Sequence, residues 1–279
     1  MATSIRSLLR VPSGPVKLKD FATDAKPGAV KKSGKLRKFQ VDHEHMQELQ
    51  EKLWAESTQG GERSVLLLLQ GMDTSGKGGV TEHVVGVFGP IGVQYTAFKK
   101  PTSEELSHDF LWRIDKHVPP PGVIGVFDRS QYEDVLVVRV HNLVPEPQWR
   151  TRYDRINEWE AGLAARGVTI IKCFLHISYE TQRLRLLKRL ANPHKHWKFD
   201  ASDVDERSFW PQYAAAYEAA LSLCNTEAAP WFLVPADDKA YRNWAISQIL
   251  RETLEELDPK WPTPDLDVKR LRQRLAPGM

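Results

Sequence analysis

The chain has 279 residues, 41% of them hydrophobic, and a formal net charge of +3. That length suits one large α/β domain or two small ones, and that composition can bury a core. The longest apolar run, Val65 to Leu69, is far too short to span a membrane, no long apolar stretch follows Arg6 and Arg10 as a secretory signal would need, and Cys173 and Cys224 lack metal-ligand spacing and read as reduced, structural thiols of a cytoplasmic protein.

Residues 1–40 carry Arg6, Arg10, Lys17, Lys19, Lys26, Lys31, Lys32, Lys35, Arg37 and Lys38 against Asp20 and Asp24. They read as a basic, solvated extension, or else as an arm touching a polyanion or a neighbouring subunit. An amphipathic helix is expected over Val41 to Ser57, then a strand over Ser64–Gln70 and a helix from Lys77 to Phe88. A second strand, Val93–Phe98, is followed by a helix from Ser103 to His117, and a third, Val123–Phe127, by helices from Gln131 to His141 and Pro147 to Arg166. The fourth strand, Val168–Ile177, leads into a helix over Tyr179 to Leu190. A helix from Phe209 to Asn225 precedes the last strand, Trp231–Val234, and Lys239 to Leu257 closes a domain of residues 41–258. The Pro-rich tail, 259–279, reads as a second extension. Strand alternating with helix implies an α/β fold with a parallel sheet covered on both faces. The uninterrupted apolar runs suggest strands buried on both sides. Sheets of this kind bind ligands beyond the carboxyl ends of their strands, so the residues there are the candidates.

After the first strand comes Gly71-Met72-Asp73-Thr74-Ser75-Gly76-Lys77-Gly78-Gly79. An apolar strand feeding Gly-x4-Gly-Lys and then a helix makes a nest of backbone N–H groups, from Gly71, Met72, Thr74, Ser75, Gly76, Gly78 and Gly79, with Lys77 reaching the same phosphates. Two positions depart from the usual loop. Asp73 sits inside it, and Gly78 stands where a Ser or Thr normally holds magnesium. A carboxylate among phosphate-binding donors is repulsive unless a cation lies between them.

The third strand ends in Phe127-Asp128-Arg129-Ser130-Gln131-Tyr132-Glu133. An acid there, beside a phosphate loop, is the usual place for a magnesium ligand, although it can also cap the next helix. Asp73 and Asp128 together supply the one or two carboxylates that magnesium needs. Arg129 is placed to clamp a phosphoryl group. After the second strand, Lys100 and Arg113 are candidate phosphate contacts, and Thr102 or Ser103 can cap the next helix. Glu105, Asp109 and Arg113 are expected on one helix face. Phe110 and Trp112 suit either base contact or core packing. After the fourth strand, Arg185 and Arg189 lie one turn apart, and Lys195 and Lys198 follow Pro193. Acids are absent from Thr181 to Phe199, so this cationic run reads as a lid over phosphates rather than a self-neutralised helix face.

Taken in order, Gly71-x-Asp73-x-x-Gly76-Lys77, His108-Asp109-Phe110-Leu111-Trp112-Arg113, Asp128-Arg129-Ser130-x-Tyr132-Glu133 and Pro193-x-Lys195-x-Trp197-Lys198 resemble the polyphosphate kinase 2 family over residues 35–260. The resemblance implies a three-layer P-loop kinase fold with a five-stranded parallel sheet, similar to thymidylate kinase, and a helical lid over about residues 179–210. It implies phosphoryl transfer between inorganic polyphosphate and nucleotides with Mg2+ or Mn2+. On that pattern Asp73 and Asp128 hold metal, Lys77 and Arg129 bind the transferring group, and Arg185 and Arg189 close from the lid. The Pro101–Arg113 segment lies on the nucleotide side, and Thr102, Asp109, Glu133, Lys195 and Lys198 join the phosphate- and nucleotide-binding set. The segment Pro101 to Arg113 is similar to that of members accepting both AMP and ADP, with guanine nucleotides as further candidates. A homo-oligomer, such as a tetramer, is implied, and neither nucleic acid nor membrane is an expected partner.

Overall fold

The structure, a computed structural model, describes residues 4–29, 31–32, 35–36 and 42–276. Its centre is a parallel sheet of β1 (Ser64–Gln70), β2 (Val93–Ala97), β3 (Ile124–Asp128), β4 (Val168–His176) and β5 (Trp231–Pro235), in the order β2-β3-β1-β4-β5. β1 is buried along its whole length, and Val65 through Leu69 expose nothing. A central strand flanked on both sides and covered on both faces has no use for polar alternation, which explains the run of four leucines.

The longer helices are α1 (Ile5–Leu9), α2 (His43–Ser57), α3 (Lys77–His83), α4 (Glu146–Ala165), α5 (Tyr179–Leu190), α6 (Trp210–Leu223), α7 (Lys239–Leu257) and α8 (Val268–Leu275). α7 packs against α1, α2 and α3, whereas α4 packs on β4. The chain leaves β1 toward one edge of the sheet and leaves β4 toward the other, so a crevice opens at the carboxyl ends beside β1. The register levels these ends: Leu69 pairs with both Asp128 and Cys173, and Ala97 also pairs with Asp128.

All five expected strands are present: the first has the expected bounds, and the others differ by a residue at one end or both. β2 departs from the expectation of burial on both sides. It is an edge strand, and Tyr95 is 47% exposed. Three expected helices are interrupted. Ser103 to His117 splits into helices Ser103–Leu106 and Trp112–Asp115 because the Asp109 carboxylate accepts from the Leu111 amide at 3.0 Å and competes with the helix. Gln131 to His141 becomes a 3-10 turn, Gln131–Asp134, and a short helix, Val137–Val140. α3 stops at His83, ahead of a 3-10 turn at Val85–Val87. Val41, expected to begin α2, lies outside the described residues, and Asp42 caps that helix through the His45 amide at 3.2 Å.

The largest difference concerns the first forty residues. Residues 4–29 are not a solvated tail. Ile5, Leu9, Val11, Val16 and Leu18 are buried in the core. Arg10 bridges Phe232 in antiparallel fashion, the Val11 amide donates to the Trp231 carbonyl at 2.9 Å, and the arm thus covers the otherwise open edge of β5. The Glu252 carboxylate of α7 accepts from the amides of Ile5 and Arg6, both at 3.0 Å, at the start of α1. Charge counting misses these hydrophobic anchors because they are spaced irregularly between lysines. Lys31, Lys32, Lys35 and Leu36 form a small antiparallel pair, while Arg37 and Lys38 lie outside the described residues. At the other end, α8 presents Val268, Leu271 and Leu275 as exposed side chains.

Beneath the sheet's carboxyl half lies an ion pair with no exposure. Lys172 Nζ of β4 donates to Glu160 Oε2 of α4 at 2.6 Å, to the Tyr132 hydroxyl at 2.8 Å and to the Cys224 carbonyl at 2.6 Å. Glu160 Oε1 accepts from Gln131 Nε2 at 2.9 Å and from Tyr132 at 2.8 Å. Burial alone pushes the Glu160 carboxyl up and the Lys172 ammonium down, and the contact between them opposes both shifts. Gln131 and Tyr132 belong to the loop that follows Asp128 and Arg129, so this network sets where that loop sits. Lys172→Met alone is expected to cost about 3–5 kcal/mol, because it strands a buried carboxylate. Lys172→Met with Glu160→Gln is expected to recover at least half of that loss, as urea unfolding of the three proteins will measure.

Candidate active site

Lys77 opens α3, and its Nζ donates back across the loop to the Gly71 carbonyl at 3.1 Å. Gly76 caps the helix at φ +110°, and a Cβ there would lie 1.7 Å from an Arg242 nitrogen. Arg185 grips the loop from α5. Its guanidinium donates to the carbonyls of Thr74 at 2.8 Å, Ser75 at 3.0 Å, Ala236 at 2.5 Å and Asp237 at 3.0 Å. Within the loop, the Ser75 amide, expected to face phosphate, donates instead to the Met72 carbonyl at 3.0 Å. The Thr74 hydroxyl is buried without a hydrogen-bond partner among the described residues. Gln182 of α5 donates to the Asp73 carbonyl at 3.2 Å and accepts from Arg207 at 2.8 Å, linking the lid to the loop.

Across the crevice, Asp128 accepts from the Tyr95 hydroxyl at 3.3 Å. Arg129 adopts φ +66°, an uncommon conformation for a side-chain-bearing residue and one that marks functional loops. Its guanidinium donates to Asp73 at 3.2 Å and lies 4.0 Å from Glu133. Glu133 first, then Asp73, hold that guanidinium firmly protonated against its burial. Burial pushes the Glu133 carboxyl up, while Arg129 and Lys77 pull it down. Glu133 therefore faces Arg129 as a buttress.

Two cavities meet here. The larger, about 750 Å³, is lined by Asp73, Thr74, Gly76, Lys77, Gly78, Gly79, Lys100, Asp128, Arg129, Arg185, Arg189, Lys195 and Lys198 among the residues singled out from the sequence. The smaller, about 380 Å³, shares Asp73, Arg129 and Asp203 with it and adds Gly71, Met72 and Glu133. Ser75 is wholly buried beneath the loop. Eleven Lys and Arg side chains line the larger cavity against four Asp and Glu. That surplus exceeds the +3 of the entire chain, so positive charge is gathered here rather than spread over the surface.

Three expected contacts fall elsewhere. Thr102 caps Ser103–Leu106 in a reciprocal box with Glu105. Asp109 pairs with Arg155 at 2.5 Å. Arg113, 7% exposed, donates to the Lys99 carbonyl at 3.0 Å and to Glu105 at 3.3 Å. None of the three lines either cavity. The break in the helix turns their side chains to local work. The lid is also less bare of acids than the Thr181–Phe199 window implies. Arg183 pairs with Glu180 at 2.6 Å, and Arg189 lies 3.6 Å from Asp203, an acid just beyond that window.

Lys239, Arg242 and Asn243 of α7, with Lys99 and Lys188, also line the larger cavity and are not among the sequence candidates. The α7 residues follow β5, the one strand whose carboxyl end the motif reading leaves aside; the same strand-end rule points to them.

Among the described residues, no three His, Cys, Asp or Glu side chains converge as a metal cage. Asp73 and Asp128 border one cavity as two oxygen donors, which suits a hard divalent cation that keeps its waters and takes phosphate oxygens as further ligands. No helix among the described residues is long and apolar enough to cross a membrane.

A phosphate loop on the central strand, an acid and an arginine on the next strand and a cationic lid above them make this a P-loop kinase. The sequence model of polyphosphate kinase 2 matches residues 30–262, and the chain belongs to that family. It is 46% identical to the AMP/ADP-polyphosphate phosphotransferase of Meiothermus ruber, over 91% of this chain and 94% of that protein. It is 42% identical to the ADP-polyphosphate phosphotransferase of Rhodopseudomonas palustris, over 83% and 84% of the two chains. The crystal structure of polyphosphate kinase 2 from Arthrobacter aurescens TC1 superimposes with a TM-score of 0.93 at 45% identity, covering 98% of this chain and 97% of that one.

Gly76→Ala is expected to destabilise the protein by about 2–4 kcal/mol, since a side chain at that φ is strained and its Cβ would collide with buried Arg242. Thermal unfolding checks it, with Gly162→Ala, inside α4 where nothing lies within 4 Å of the added carbon, as a control expected to be stabilised by up to about 1 kcal/mol.

Proposed function

We propose that this chain transfers the terminal phosphoryl group of inorganic polyphosphate to AMP or ADP, giving ADP or ATP, with Mg2+ or Mn2+ held by Asp73 and Asp128. The observation that carries the reading is the charge of the larger cavity: eleven Lys and Arg against four acids exceed what one nucleotide's phosphates require. Family membership and the printed activities of the relatives from Meiothermus ruber and Rhodopseudomonas palustris support the choice of donor and acceptor.

In this reading an oxygen of the acceptor's terminal phosphate attacks the last phosphorus of the chain. The bond from that phosphorus to its bridging oxygen breaks, and the shortened polyphosphate leaves with the electron pair. The attacking phosphate oxygen is already anionic, so no strong base is needed. Lys77 and Arg129 bind the transferring group, and Arg129 is oriented for it by Asp73 and Glu133. Arg185 braces the loop through the Thr74 and Ser75 carbonyls. Arg189, with Lys195 and Lys198, closes from the lid. A divalent cation held by Asp73 and Asp128 would neutralise phosphate charge in the cavity. Anhydride bonds are exchanged for similar ones, so the reaction runs in both directions. The proposal includes guanine nucleotides as alternative acceptors and a homo-oligomeric, tetrameric assembly, on the pattern of the family. The free, buried thiols Cys173 and Cys224, the latter pushed up to about 12 by burial, fit a reducing, cytoplasmic setting.

Incubation with long-chain polyphosphate, Mg2+ and AMP, ADP or GDP, with products resolved, tests donor and acceptor together. ATP from ADP without added ATP is expected, and no product from any acceptor would falsify the reading. Asp128→Asn is expected to abolish most turnover at saturating Mg2+; wild-type turnover would remove Asp128 from the metal site. Arg189→Ala is expected to lower kcat about 10³-fold, whereas a near-normal rate would leave Arg189 only its contacts with Asp203 and Lys198.

A further inference from the structure

Arg242 is the most deeply buried cation on the cavity wall. It is 2% exposed, yet among the described residues no carboxylate lies within ion-pair distance of it. Its hydrogen bonds go only to neutral oxygens: the Ser75 carbonyl at 3.2 Å, and Asn243 Oδ1 at 3.0 Å from Nε and 2.7 Å from a terminal nitrogen. The acid next in reach, Asp238, is occupied by Lys26 and by the Ala240 and Tyr241 amides. Its charged neighbour Arg185 is a like charge, and burial followed by Arg185 pushes the Arg242 guanidinium down to about 10. Lys239, one turn earlier, is pushed down in the same way, by burial and then by Arg185, Lys188, Arg242 and Lys195. Unpaired buried charge is costly, and folded proteins keep it where something charged is to be met.

The phosphate loop is built around this side chain. A Cβ on Gly76 would come within 1.7 Å of one Arg242 terminal nitrogen, and a Cβ on Gly79 within 2.7 Å of the other. The second position is informative. Gly79 lies inside α3 at an ordinary helical conformation, where glycine weakens a helix by roughly 1 kcal/mol relative to alanine. The backbone does not demand glycine there, but the guanidinium does. The glycines around Lys77 thus make room for a cation that enters from α7, beside the root of the lid.

We propose that Arg242 is a phosphate-binding residue of this site, whose missing counter-charge is a phosphate group of the polyanionic substrate gripped by the loop. Lys239 extends the same wall toward the lid cations. The inference rests on the reading of the cavity as a polyphosphate site and adds to it a fixed cation on the α7 side. Held by the Ser75 carbonyl and Asn243, the Arg242 guanidinium is in place before substrate arrives.

The test measures binding of long-chain polyphosphate to the full-length protein, without nucleotide, as a function of salt. Variants are Arg242→Met, which keeps length and loses charge, and Arg242→Lys, which keeps charge and loses the fork. Arg242→Met is expected to bind at least tenfold more weakly, with a salt dependence of log Kd shallower by about one charge. Arg242→Lys is expected to retain the wild-type salt slope. Thermal unfolding without ligand distinguishes a brace from a binding residue. A binding residue leaves the ligand-free protein equally or more stable when its charge is removed, and reduces only the stabilisation that polyphosphate adds. Polyphosphate affinity within twofold of wild type in Arg242→Met, or equal losses in both variants with unchanged salt slopes, overturns the inference. If Arg242→Met does not fold, the salt slope of Arg242→Lys still decides, because a slope reduced as in a charge loss contradicts the proposal. Failure of the wild-type protein to bind polyphosphate refutes the functional reading itself, whatever the variants do.

Discussion

Gathering eleven cations around one cavity is the constraint that shapes the rest of this molecule. Like charges held this close repel one another, and burial makes each of them costlier. The buried cations are therefore held in different ways. Arg185 is held by four backbone carbonyls from two strand-end loops. Arg129 is held by Asp73 and Glu133. Lys172, deeper still, is held by Glu160, Tyr132 and a carbonyl. Arg242 is held by neutral oxygens only and keeps its charge for a ligand. Held in this way, the cations are fixed by the fold before any substrate arrives, as electrostatic catalysis requires.

The same contacts carry the coupling between elements. Arg185 belongs to the lid helix but binds the phosphate loop and the end of β5, so the root of the lid, the loop and α7 are one mechanical unit. Gln182 adds a second link, through the Asp73 carbonyl on one side and Arg207 on the other. On the opposite face, the buried Lys172–Glu160 pair sets Tyr132 and Gln131, and through them the loop carrying Asp128 and Arg129. The two halves of the site are thus anchored independently, one through α5 and α7 and the other through α4. The N-terminal arm serves the frame. It covers the edge of β5 and joins α1 to α7 through Glu252, which steadies the helix that delivers Lys239 and Arg242.

Much of the fold was legible in the sequence because buried parallel strands leave a plain trace: short, unbroken apolar runs at regular intervals. The loop from Gly71 to Lys77, the Asp128–Arg129 pair and the cationic stretch after β4 were legible for a related reason, since each follows a strand and the topology brings strand ends together. The misreadings have equally specific causes. β2 looks apolar but lies at an edge, and strand order is not written in any one strand. The helix through Asp109 breaks because a side chain competes for a backbone amide, which periodicity does not register. Thr102, Asp109 and Arg113 have the composition of a phosphate site, but their partners are Glu105, Arg155 and the Lys99 carbonyl.

By itself, then, the sequence determined the parallel α/β architecture, the phosphate loop with its unusual Asp73, the neighbouring acid and arginine, and the family. These depend on local order along the chain: a strand, the turn that follows it and the helix after that. The tertiary structure alone decided which cations line the cavity, that residues 4–29 pack into the core, and that Arg242 fills the space beside Gly76 and Gly79. Those outcomes depend on residues more than a hundred positions apart meeting across the carboxyl edge of one sheet. Burial, and with it the strength of every charge in the site, is set by what packs around a residue and not by its neighbours in the chain.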